Sequence, residues 1–138
     1  MSAKGSERCV LITDAAMPAM YPPGPYQLGE VEVELLEDRR VVLRGGTRLA
    51  GSSLQMDQAI ANVMRIAGLR LTEALAMAAT NPARVGRVSG RLRGLQPGER
   101  ADMVLFRMEE GRLRVLETYL SGRKVFSSTE PIVYRNAC

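Results

Sequence analysis

The sequence predicts a mixed α+β fold, and three observations carry that expectation. A short continuous apolar run, Cys9 to Ile12, precedes a strictly alternating stretch from Glu30 to Leu35. Two segments in the middle of the chain, 52–67 and 72–80, place apolar residues at helical spacing. Strand patterns then return between Met103 and Phe126.

Taken in order, Cys-Val-Leu-Ile at 9–12 suits a strand buried on both faces, as in a parallel sheet or barrel. Thr13-Asp14 stands where such a strand would end. Ala15 to Pro25 holds Pro22, Pro23, Gly24 and Pro25, which predicts an irregular loop. In the alternating stretch Val31, Val33 and Leu35 oppose Glu30, Glu32 and Glu34, the pattern of an antiparallel strand with one wet face. Asp38-Arg39-Arg40 turns the chain and Val41 to Leu43 returns, so a hairpin is expected over 30–43, broken by Gly45-Gly46. Ser52 and Gln55 have capping-box spacing, with Ser52 as N-cap. Met56, Ile60, Val63 and Ala67 follow on one helical face, and Gly68 suits the C-terminal cap. A second helix starts near Thr72 and is expected to bury Leu75, Ala78 and Ala79 before Asn81-Pro82 halts it. Pro82 can open one further short turn that Gly86 ends. Pro97-Gly98 marks a turn, Met103 to Phe106 a buried strand, and Glu110-Gly111 a reversal into Arg112 to Leu120. Gly122 separates that strand from Val125-Phe126, and the tail 127–138 is expected to be peripheral or disordered.

Composition narrows the function classes. The chain has 138 residues, 46% of them hydrophobic, enough for a real core in about one domain. A net charge of +4 is spread rather than striped, and six aromatics form no stacking platform, so nucleic-acid binding is not expected. The apolar runs are strand-sized, far short of the roughly 18–20 residues of a membrane span. Residues 1–8 are polar and carry no signal-peptide core. Cys9 and Cys138 suggest no disulfide framework, so a reduced, cytoplasmic setting is the expectation. There is no histidine at all. The commonest metal ligand and general base is therefore absent from this chain.

Two places could carry chemistry. Asp14 follows a predicted buried strand, where α/β barrels and open sheets put catalytic groups. There it could act as a base toward water or ligate a metal; it could equally be a turn or N-cap aspartate. The segment Leu49-Ala50-Gly51-Ser52-Ser53 could let a ligand approach backbone at Gly51, before the polarised N–H groups of a helix. It could also be an ordinary glycine-serine lead into that helix. Glu30, Glu32 and Glu34 read as a solvated face, and Met56, Met64 and Met77 as core fillers.

The order of these pieces is more specific than any one of them. Cys9-Val-Leu-Ile-Thr-Asp14-Ala15, then Leu49-Ala-Gly-Ser-Ser-Leu-Gln-Met56, Ala79-Thr-Asn-Pro-Ala83 and Gly94-Leu-Gln-Pro-Gly98 leading to Ala101-Asp102-Met-Val-Leu105 run in sequence. Together they resemble the C-terminal part of the N-acetylglucosamine-6-phosphate deacetylases, in the amidohydrolase superfamily, over residues 5–126. The Asn-Pro-Ala and Pro-Gly…Ala-Asp elements mark the superfamily; Thr13-Asp14-Ala15 joined to 49–56 marks the deacetylase branch, against a dihydroorotase-like one. The resemblance implies a piece of a (β/α)8 barrel in 1–93, with 9–12 as its last strand and both helices outside it. It implies C-terminal strands of a small β-sandwich in 94–126. It also implies a divalent metal ion such as zinc, whose glutamate and histidine ligands lie on earlier strands outside this chain. Asp14 would be the proton shuttle, and Leu49, Ala50 and Gly51 would line the pocket for an amino-sugar phosphate. The expected partners are thus that substrate and the N-terminal barrel portion. The other reading is a non-catalytic, self-associating module.

Overall fold

The computed structural model describes residues 5–129, which pack as two compact units: 12–59, and 5–11 together with 60–129. The tail from residue 130, Cys138 included, lies outside the described residues. In both units the elements are mixed helix and antiparallel sheet.

The unit 12–59 is built on a meander. Strands β1 (Gly24–Leu28), β2 (Val31–Leu35), β3 (Val41–Leu43) and β4 (Leu49–Gly51) lie in that order, each antiparallel to the next. The alternation in β2 holds for Val33 and Leu35 but not for Val31, which stands beside the turn from β1 and is exposed. Val33 and Leu35 are fully buried with Val41, and Tyr26, Leu28 and Ala50 pack around them. The glutamates face outward, Glu32 pairing with Arg44 at 3.4 Å. Two strands were not legible in the sequence. β1 begins inside the expected loop, with Pro25 opposite Glu34 on the sheet edge, where a missing N–H is tolerated. Before it, Met17–Met20 forms a 3-10 turn with Pro18 near its start. β4 is only three residues long and joins β3 through a bulge.

Helix α1 (Met56–Ala67) begins four residues after the expected N-cap. Ser52 is instead engaged in a parallel bridge to Ala15, and its hydroxyl accepts the amide of Leu54 at 3.0 Å. Extended backbone at Ser52 forces the helix to start later, and the carbonyl of Gln55 takes the first helical bond, from Ala59 at 2.9 Å. Gly68 follows α1 at φ +64°, the left-handed cap its sequence predicts.

In the other unit the second helix runs on past the expected stop. α2 (Leu71–Leu75) passes into a π turn (Ala76–Thr80) and then α3 (Asn81–Val85). The amide of Asn81 reaches back five residues to Ala76, and this wider turn accommodates the Pro82 ring that would clash in a regular helix. Ala74, Met77, Asn81 and Ala83 are buried along this segment, Leu75 and Ala78 pack half-buried against the core, and Ala79 faces solvent. At the start of α2 the carboxylate of Glu73 accepts the amide of Arg70 at 3.0 Å, which lowers its pKa, helped by the Arg70 guanidinium.

Cys9 to Ile12, expected to be a strand, forms none. A parallel strand exists only through its ladders, and no described segment pairs with this one. Leu11 instead donates its amide to the Met77 carbonyl at 2.9 Å, while Val10 and Ile12 are exposed. Asn81, expected only to halt a helix, fixes this segment. Its buried Nδ2 donates to the carbonyls of Ser6 at 2.9 Å and Cys9 at 2.7 Å. Asn81→Asp keeps the shape and removes both donors. It should lower unfolding stability by about 1–3 kcal/mol, because two half-buried carbonyls lose their donor and a carboxylate takes its place. A urea midpoint equal to that of the parent chain would show that these bonds contribute nothing.

The three C-terminal strands are β5 (Met103–Glu109), β6 (Arg112–Leu120) and β7 (Arg123–Ser127), antiparallel in that order. Both reversals, Glu110-Gly111 and Ser121-Gly122, hold positive φ at two successive residues, the tight turn whose twist matches a hairpin. Leu113, Phe106 and Val115 share a core with Ile60 and Ala74, so this sheet packs in the same unit as the helical segments. Asp102, just before β5, accepts the Ser121 amide at 2.8 Å; that bond is the main reason its carboxyl sits below its ordinary value. Among the described residues, no helix is long and apolar enough to cross a membrane.

Candidate functional site

Asp14 and the segment 49–51 come together within the unit 12–59. Asp14 is exposed and adopts φ +51°, a left-handed conformation uncommon outside glycine but tolerated best by Asp and Asn. Residues held in this region cluster at functional sites. What holds it there is the next residue: Ala15 bridges to Ser52 in the parallel sense, and Ala16 donates its amide to the Ser52 carbonyl at 2.8 Å. Asp14 therefore precedes, and Gly51 precedes, the two partners of one backbone bridge.

Gly51 owes its identity to this contact rather than to its dihedrals. A Cβ there would lie 2.8 Å from the Cβ of Ala16 and 3.6 Å from Cγ1 of Val41. Neighbouring Leu49 projects into solvent at 66% exposure, and Ala50 is half-buried against the Val33 core. Of the three, Leu49 and Gly51 are accessible to a ligand.

One further residue belongs to this arrangement and was read in the sequence only as part of a turn. Arg39, half-buried at φ +68°, donates through its guanidinium to the carbonyls of Tyr21, at 2.9 Å, and Ala19. Its own carbonyl accepts the hydroxyl of Ser53. Beside it, Asp38 pairs with Arg40 at 2.7 Å, and the Arg40 amide lowers the Asp38 pKa. A doublet of arginines in a hairpin turn gives no local signal of which one folds back.

The residues present do not fit a metal centre. The sequence has no histidine, and among the described residues no three His, Cys, Asp or Glu side chains are grouped to hold an ion.

No family model matches the chain. Similarity to individual proteins is nonetheless extensive. A relative from Escherichia coli K12, named "Putative N-acetylgalactosamine-6-phosphate deacetylase", is 38% identical over 117 residues, covering 85% of this chain and 67% of the relative. The N-acetylglucosamine-6-phosphate deacetylase of Thermotoga maritima superposes with a TM-score of 0.77 at 33% identity, over 92% of this chain and 33% of that one. A variant of the Mycobacterium smegmatis enzyme, solved in complex with N-acetyl-D-glucosamine-6-phosphate, superposes at 0.76 with 29% identity, over 89% and 32%. All three carry the name of a deacetylase of an amino-sugar phosphate, the first of them as putative. The chain belongs to the N-acetylglucosamine/N-acetylgalactosamine-6-phosphate deacetylase family. It corresponds to the C-terminal part of such an enzyme and spans about a third of the length of the two solved structures.

Proposed function

We propose that this chain supplies the C-terminal share of a deacetylase that hydrolyses the acetamide of N-acetylglucosamine 6-phosphate or its galactosamine epimer. The observation that carries the reading is the bridge between Ala15 and Ser52, which sets Asp14 beside the Leu49-Ala50-Gly51 segment. In this reading residues 1–93 belong to the barrel, with 9–12 gaining its ladders only when flanking strands are supplied. Residues 94–126 are the strands of the small sandwich. The family is of the amidohydrolase type and generally metal-dependent, and among the described residues no group of side chains builds that centre.

Asp14 has the role of proton carrier. Its carboxylate takes a proton from the water whose oxygen bonds to the acetamide carbon. It returns that proton to the nitrogen as the carbon–nitrogen bond breaks, releasing acetate and the free amine. Exposed Leu49 and Gly51 flank the sugar phosphate, and the N-terminal barrel portion is the partner that completes the pocket.

Supplying that portion on a second chain and measuring acetate release from N-acetylglucosamine 6-phosphate tests the proposal. Turnover is expected in the complex and none from either piece alone. A purified one-to-one complex that releases no acetate from either epimer would overturn it. The exposed Val10 and Ile12 favour one other reading, self-association through this segment. Light scattering that shows only monomer at high concentration would exclude it.

A further inference from the structure

We infer that Arg39 is a positioning residue for Asp14, an inference that rests on the deacetylase reading. The loop that leaves Asp14 has little regular structure of its own: a 3-10 turn at Met17–Met20, closed by Ala19 to Ala16 and Tyr21 to Pro18 amide bonds at 3.0 Å each. It is tied down at two places. At its start Ala16 donates to the Ser52 carbonyl, and at its far end Arg39 grips the carbonyls of Ala19 and Tyr21. Arg39 is itself fixed, because Ser53, next to Ser52, donates to its carbonyl, and its amide donates to Leu36 at 2.9 Å. The hydrogen bonds therefore close a circuit from Ala16 through Ser52 and Ser53 to Arg39 and back to Ala19.

This circuit has a mechanical consequence. Asp14 sits in a left-handed conformation that its own backbone does not favour, so the segment after it must be held to keep it there. With the circuit closed, the loop cannot swing away from the bridge. A planar guanidinium spans two carbonyls with N–H groups on separate nitrogens held in a rigid fork; a lysine ammonium offers a point charge on a flexible stem. Because both guanidinium contacts go to backbone carbonyls of the loop after Asp14, the effect of Arg39 is expected on the orientation of Asp14.

Two measurements test this. In the complex that carries both chains, Arg39→Met should lower kcat about 10- to 100-fold with KM changed less than twofold, the signature of an interaction that serves the chemical step. Arg39→Lys should recover part of the loss. In the present chain alone, Arg39→Met should speed amide hydrogen exchange at Ala19 and Tyr21 at least tenfold, with the β2 and β3 amides unchanged. All three residues at position 39 bear the same left-handed backbone cost, so the comparison isolates the side chain. Unchanged exchange at Ala19 and Tyr21 would overturn the inference whether or not the complex is active. A kcat within twofold of the parent, in a complex where Asp14→Asn abolishes turnover, would overturn it and leave the deacetylase reading standing. Loss of the reading itself shows differently, as a complex indifferent to Asp14→Asn.

Discussion

Asp14→Asn should abolish deacetylation in the completed enzyme, lowering kcat by about 100- to 10,000-fold, the usual worth of a positioned acid–base group. The substitution is well matched to the question. Asn has the same shape and shares the tolerance of Asp for left-handed backbone, so the φ of +51° is kept. What is lost is the ability to accept a proton and return it. The unfolding midpoint of the chain should stay unchanged, and binding of the sugar phosphate should survive. Asp14→Ala makes the contrast: it removes the same chemistry and adds roughly 1 kcal/mol of backbone cost. Turnover undiminished in the Asn variant would remove Asp14 from the mechanism and leave it a turn residue.

Gly51→Val should lower the unfolding stability of this chain by about 1–3 kcal/mol, the usual cost of forcing extra atoms into a packed contact. The neighbour it meets is short and rigid. A Cβ at position 51 approaches the Cβ of Ala16 to 2.8 Å, and an alanine has no flexible end to swing aside. Relief requires the backbone of Ala15–Ala16 to draw back from Ser52, which breaks the bridge. Ala16→Gly in the same molecule opens the space, so the pair should show a favourable coupling of about 0.5–3 kcal/mol in a double-mutant cycle. Strictly additive losses would mean that the two residues do not press on each other. In the completed enzyme the single variant should also lose turnover, since a displaced bridge displaces Asp14.

Much of the fold was legible because the signals were local. The alternation around Val33 and Leu35, the helical face through Ile60, and the glycines at 68, 111 and 122 each act within a few residues. Two of the expectations that failed share a cause: a distant segment claimed the residue first. Ser52 has capping chemistry, but Ala15 takes its backbone into a bridge and the helix starts at Met56. Asn81-Pro82 reads as a stop, yet a π turn lets the helix pass, and Asn81 is occupied by Ser6 and Cys9. Cys9 to Ile12 has the composition of a buried strand, and composition cannot provide a neighbour to pair with.

The sequence by itself determined the mixed fold class, the hairpin, the helices and the C-terminal strands in their order, and the family, since those rest on residue periodicity and on motifs read along the chain. It also named Asp14 and the segment Leu49-Ala50-Gly51, and the family resemblance assigned them to one pocket without the contact that joins them. Only the tertiary structure decided that the two flank one backbone bridge, and that Arg39 secures the loop between them. The physical reason is that hydrogen bonds between distant carbonyls and amides leave no trace in composition. A glycine required by the Cβ of Ala16 and a glycine required by a turn are the same letter until the chain has folded.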